Sequence, residues 1–189
     1  MIYASSVVAA DFPSLVSLAC HDLRTPLATV QGFAKTLLRH EEIDREKTTR
    51  YLGLIDAASA ELAELLDLVS LAARIEGGRY DPVVREVDSL ELAPDGATGS
   101  GATVNVEPEA AGKALASLAR AAARHGGVEV STSVDGPAVS FEPVTAEAAP
   151  VVLGADQKDL GAAVAVRLLR AIGGTVALEG ERLTITLPR

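Results

Sequence analysis

His21 stands in the run Ser17-Leu18-Ala19-Cys20-His21-Asp22-Leu23-Arg24-Thr25-Pro26-Leu27, where several side chains could share one reaction. A neutral imidazole is a good phosphoryl nucleophile near neutral pH, and the N–P bond it forms is labile enough to hand the group onward. Asp22 adjoins the ring and could orient it or accept a proton. Arg24 is near enough to balance phosphate charge. Thr25, four residues after His21, lies one helical turn along the same face.

These residues need a helix to hold them, and the pattern around them supplies one from about Asp11 to His40. Val16, Ala19, Leu23, Pro26, Val30, Phe33 and Leu37 recur at alternating steps of three and four, a heptad seam. On that register His21 faces away from the seam, where a partner can reach it. Pro26 is expected to bend the helix, because it removes an amide donor and crowds the previous turn. His40-Glu41-Glu42-Ile43-Asp44 reads as a polar connection with Asp44 as N-cap. A second helix follows from about Arg45 to Glu76, with Tyr51, Ile55, Ala58, Leu62, Leu65, Val69 and Ala72 on its seam and Gly77-Gly78 as its stop. Two helices of roughly 45 Å joined by a short loop make an antiparallel hairpin. A lone hairpin cannot bury two such stripes, so a homodimer closing a four-helix bundle is expected.

After Asp81-Pro82 the pattern changes to short alternating segments. Val84–Leu92, Ala102–Val106, Val128–Val134, Ala138–Val144, Thr175–Leu178 and Leu183–Leu187 read as strands. Glu109–His125 and about Asp156–Ile172 read as helices, each closed by Gly-Gly, and Pro94–Gly101 reads as a flexible loop. The fold class is therefore α+β, divided into a helical hairpin over residues 1–80 and an α/β sandwich over residues 81–189.

Composition narrows the function. Of 189 residues, 48% are hydrophobic but only 3% aromatic, with no Trp, so the core is built from Ala, Leu and Val, suited to close helix packing. A net charge of −9 argues against nucleic acid or an anionic membrane as partner. One cysteine excludes an internal disulfide and fits a reducing cytoplasm. No apolar run approaches the length of a membrane span, and the opening Met1–Val8 lacks the pattern of a signal peptide. With only about twenty residues ahead of His21, any signal is expected to arrive from another protein, in the cytoplasm.

The run His21-Asp22-Leu23-Arg24-Thr25-Pro26-Leu27 resembles the phosphoacceptor H-box of two-component sensor histidine kinases. The tract from Tyr51 to Gly78, ending Arg74-Ile75-Glu76-Gly77-Gly78, is similar to the second dimerisation helix of that family. The resemblance implies that His21 carries a phosphoryl group destined for an aspartate on a response regulator. It implies that Asp22 acts as the family's acidic neighbour, and that Thr25 helps place a water for dephosphorylating the regulator.

The second half resembles the family's ATP-binding domain in strand and helix order only. Where the family's two magnesium- and phosphate-holding asparagines would fall stand Ser117 and Ala121, and alanine offers a hard cation no oxygen. Ser140-Phe141-Glu142-Pro143 occupies the stretch of the adenine-binding loop. The glycine-rich phosphate loop is reduced to Asp159-Leu160-Gly161-Ala162-Ala163, and little room remains for an ATP lid. This layout is similar to the dimeric histidine phosphotransferases of bacterial phosphorelays, which keep the histidine and use an eroded domain to grip the regulator. The resemblance thus implies a histidine phosphotransferase that binds no cofactor itself, with Mg²⁺ arriving on the partner's receiver domain and an upstream histidine kinase as a further partner. Two other readings stay open: an ATP-dependent histidine kinase with a divergent pocket, and a non-catalytic scaffold. His40, His125 and Cys20 read as structural, Asp67 and Glu61 as solvated, Gly161 as a relic loop or helix packing, and Gly173-Gly174 as a helix stop.

Overall fold

A computed structural model describes residues 12–39, 43–156 and 158–189; His40 and the first part of the expected polar connection lie outside them. The chain opens with α1 (Phe12–Arg39) and α2 (Arg45–Glu76), which pack along each other as the expected hairpin. α1 continues through a buried Pro26 as one helix. Asp44 caps α2: its carboxylate accepts the Lys47 amide at 2.8 Å, and that bond holds its carboxyl below the usual range. At the other end the Gly77 amide donates to the Ala73 carbonyl, and Gly78 takes φ +62, a left-handed turn that only glycine adopts without strain.

The heptad seam is the hairpin's contact face. Ala19, Pro26, Ala58 and Ala72 are buried, and the larger seam residues are half-buried, with the Phe33 and Tyr51 rings 5.1 Å apart. Val16 is the exception. It is exposed, and Leu15 beside it is fully buried, because the start of α1 packs against a helix of the second half as well as against α2. The hairpin leaves Leu27, Leu38, Leu52, Leu54 and Leu66 exposed, Leu38 by 84%.

The second half begins with β1 (Arg85–Asp88) and α3 (Ser89–Leu92). The strand expected to reach Leu92 stops at Asp88, whose carboxylate accepts the Leu90 amide and turns the chain into α3. Ser89 pins that turn: its hydroxyl donates to the Gly136 carbonyl and accepts the Ala102 amide. Next come β2 (Thr98–Gly101), β3 (Thr103–Val106), α4 (Pro108–Gly126), β4 (Ser131–Gly136), β5 (Ala138–Glu142) and α5 (Ala149–Val152). α6 (Leu160–Ala171), β6 (Thr175–Glu179) and β7 (Arg182–Thr186) complete the fold. β1 pairs with β3, and the main sheet runs β2-β4-β5-β7-β6, with β2 parallel to β4 and the other pairs antiparallel.

β2 overturns the expected flexible loop. Its glycines serve close approach: a Cβ on Gly99, which holds φ +115, would strike the Val134 backbone, and one on Gly101 would strike the Asp88 carboxylate. α6 starts four residues later than expected, because Asp159 caps it by accepting the Ala162 amide at 3.0 Å.

α6 ties the halves together. Every residue from Ala162 to Leu169 is buried. One side faces the sheet and α4 through Leu168, Leu169, Phe141, Leu115 and Ile185. The other side joins Leu15, Ala19 and Ala72 of the hairpin through Leu160, Ala163 and Val164. Alanines on both surfaces allow this close approach, as the composition implied. Arg167, 5% exposed, reaches out to Glu76 of α2 at 3.2 Å and donates to the Ala163 carbonyl. Among the described residues no helix is long and apolar enough to cross a membrane.

Candidate functional site

α1 presents His21 on its outer face, away from the seam, with 78% of the side chain exposed. The Nδ1 nitrogen lies 3.1 Å from Asp22 Oδ1. A carboxylate can only accept, so this bond places the ring proton on Nδ1 and leaves the Nε2 lone pair available on an exposed ring. The geometry is that of a prepared nucleophile: Asp22 fixes the tautomer and can balance the positive charge the ring gains when Nε2 attacks.

His21 and Asp22 open into a surface depression of about 510 Å³, whose other described walls are Ser14, Ser17 and Leu18 of α1 and Lys158. Lys158 belongs to the segment entering α6, and its ammonium lies 2.6 Å from Asp156. The sequence reading did not find it. No local pattern joins residues 137 positions apart; only the packing of α6 on α1 brings them together. Arg24 and Thr25 are exposed further along α1 and do not line the depression. Cys20 is exposed rather than packed, because the seam position beside it is filled by Ala19.

The face of the second half that resembles a nucleotide site is built differently. Ala121 is fully buried in the α4 core and presents no oxygen. The Ser117 hydroxyl accepts from Arg120 at 3.3 Å, and a Cβ on Gly161 would sit 3.7 Å from the Ser117 side chain, so α4 and α6 are in close contact there. His125 and Arg124 bond Asp159, the α6 cap, at 3.3 and 3.4 Å; His125 is thus a structural tie between the end of α4 and the start of α6. A cleft of about 470 Å³ does remain between α2, α4 and α6. Its charged walls are Glu64, Asp67, Glu107 and Glu109 against Arg74, Lys113 and Arg120, an acidic balance that suits a polyphosphate poorly. In it the Tyr80 hydroxyl donates to Glu107 at 2.7 Å beneath the Arg74 guanidinium; burial, then the Glu107 carboxylate, hold the phenol protonated well above its usual range.

Residues 14–78 match the His Kinase A (phospho-acceptor) domain. The sensor histidine kinase TrcS of Mycobacterium tuberculosis (strain ATCC 25618 / H37Rv) is 36% identical over 75 residues, which are 39% of this chain and 14% of that protein. The chain's match thus spans a small part of that kinase. The fold is similar to that of the Acinetobacter baumannii histidine kinase AdeS, with a TM-score of 0.59 and 17% identity, covering 89% of this chain and 97% of that one. Residues 14–78 thus match a phospho-acceptor domain, and most of the chain shares the fold of a histidine kinase.

Proposed function

We propose that this chain is a histidine phosphotransferase of a cytoplasmic two-component or phosphorelay pathway. It carries a phosphoryl group on His21 Nε2 and exchanges it with the aspartate of a response regulator receiver domain, without using ATP. The observation that carries this reading is the contrast between the two halves. The hairpin holds an exposed imidazole with its tautomer set by Asp22, whereas α4 offers a bonded Ser117 and a buried Ala121 where the family's metal-binding asparagines would fall. Mg²⁺ for the aspartyl chemistry then belongs to the receiver domain. On this reading Thr25, one helical turn from His21, directs a water toward the regulator's phosphoryl group. Two hairpins paired through Leu27, Leu38, Leu52 and Leu66 would close the four-helix bundle of a homodimer, removing from water a stripe that one chain leaves exposed.

A test incubates the protein with a phosphorylated receiver domain. Label is expected on the wild type and not on His21→Ala; label on neither, or on both, overturns the proposal. The second reading, an ATP-dependent kinase, is favoured by the hairpin's similarity to a sensor kinase. Calorimetric titration with Mg-ATP separates the two, since tight binding supports the kinase.

A further inference from the structure

We propose that Lys158 is the phosphoryl-holding cation of the His21 site, lent to the phosphoacceptor helix by the second half of the molecule. The proposal rests on the phosphoryl-carrier reading above and adds a residue to its machinery.

Three observations lead there. Lys158 and His21 wall the same depression, and Asp22 is the one other charged residue on its described walls. The position of Lys158 is set by packing. Leu160, two residues on, is buried against Leu15 and Ala19, which lie six and two residues before His21 on α1. The segment entering α6 is therefore anchored to the same turns that present the imidazole. Finally, the ammonium is able to move: Lys158 is 66% exposed, and its partner Asp156 is a single carboxylate on the same segment.

The electrostatics favour a transfer of that partnership. A phosphoryl group brings close to two negative charges and three acceptor oxygens, against one charge on Asp156. A lysine on its flexible four-carbon stem can turn from one to the other. In the step itself, the Nε2 lone pair forms the N–P bond while the bond from phosphorus to the donor's aspartyl oxygen breaks, and that electron pair leaves on the donor carboxylate. Asp22 then faces the positive ring at Nδ1, and Lys158 faces the phosphoryl oxygens. Transfer onward is the same step reversed on another aspartate. Arg24, the other cation near His21 in sequence, lies outside the depression.

The test uses phosphoramidate as a small-molecule donor to load the full chain, and follows the phosphohistidine signal by ³¹P NMR across pH. In wild type the ammonium favours the dianion. The second ionisation constant of the phosphoryl group is expected to fall about threefold in Lys158→Ala, the size of an exposed ion pair, and to return in Lys158→Arg. A purely structural lysine would leave that constant unmoved. An unchanged constant in Lys158→Ala, or one that moves only in Arg24→Ala, overturns the assignment of Lys158 while the carrier reading stands. Failure of wild-type His21 to take the label overturns both.

Discussion

The outer face of α1 and the facing surfaces of α4 and α6 hold the two sets of residues on which phosphoryl chemistry could be run, and they are built by opposite rules. On α1 the reactive groups point away from the apolar seam, so His21 keeps its exposure and its bond to Asp22. On α4 and α6 the equivalent positions have been drawn into the core as Ala121, Ala162 and Ala163. Small apolar side chains there let α6 sit between the sheet and the hairpin. The difference teaches that a fold survives on pattern and volume, whereas a ligand site needs particular atoms. The second half keeps the first, and at Ala121 it presents no side-chain oxygen.

The sharpest way to break this comparison is to remove one side chain from each face. His21→Ala is expected to abolish phosphoryl acceptance completely, whereas Ser117→Ala should leave it within about twofold, since losing one hydroxyl from a half-buried side chain away from the reacting group has little effect on packing. Transfer of label from a phosphorylated receiver domain reads both variants. A large loss in Ser117→Ala would mean that the α4 face takes part in the reaction.

The next effect concerns how the halves are joined. Leu160→Ala deletes a side chain that is 2% exposed between Leu15, Ala19 and Ala72. A loss of about 3 kcal/mol is expected from the lost burial and the cavity left behind. Urea unfolding should show a lower midpoint. If the two halves instead unfold separately, with only the second transition displaced, the shared core is weaker than its burial implies.

The hairpin was the legible half of the molecule. Asp44 and Gly77-Gly78 marked the ends of α2 because capping is local chemistry, and the heptad seam marked its inner face because a 3.5-residue repeat has one structural use. The misreadings fall where long-range packing decides. Gly99 and Gly101 looked like flexibility and are close contacts in β2. Val87-Asp88-Ser89-Leu90 looked like one strand and is broken by an Asp88 cap that a buried Ser89 secures. Val16 fitted the seam by spacing, but Leu15 is the buried neighbour because α6 covers that side. His21 and Asp22 could be found from type and order alone. Lys158 could not, because only the docking of α6 places it beside them.

Asp22 gives a smaller effect than His21 and refines what the hairpin site does. Asp22→Asn keeps the size of the side chain but removes the charge that faces Nδ1. Phosphoryl acceptance is expected to fall about 10²-fold, the lower end of what a positioned acid–base group contributes. The comparison is made on initial loading rates, with folding checked by circular dichroism. A rate within a few-fold of wild type would show that the ring needs no such partner.

Tyr80→Phe is the mildest change and probes the cleft of the second half, where the phenol donates to Glu107. Removing one hydroxyl from this half-buried pair should cost about 1 kcal/mol near pH 7. The pH dependence distinguishes the bond from mere packing. Burial and Glu107 raise the folded-state pKa of the phenol above its ordinary value near 10, so between the two values the unfolded chain binds fewer protons than the folded one. Unfolding then releases a proton, and the stability that Tyr80 contributes is fully present below about pH 10 and declines as pH rises beyond it. Urea titrations of wild type and Tyr80→Phe from pH 7 to 11 should therefore show a constant gap that closes at the alkaline end. A gap that stays open at pH 11 would assign the loss to packing beneath Arg74 and not to the hydrogen bond.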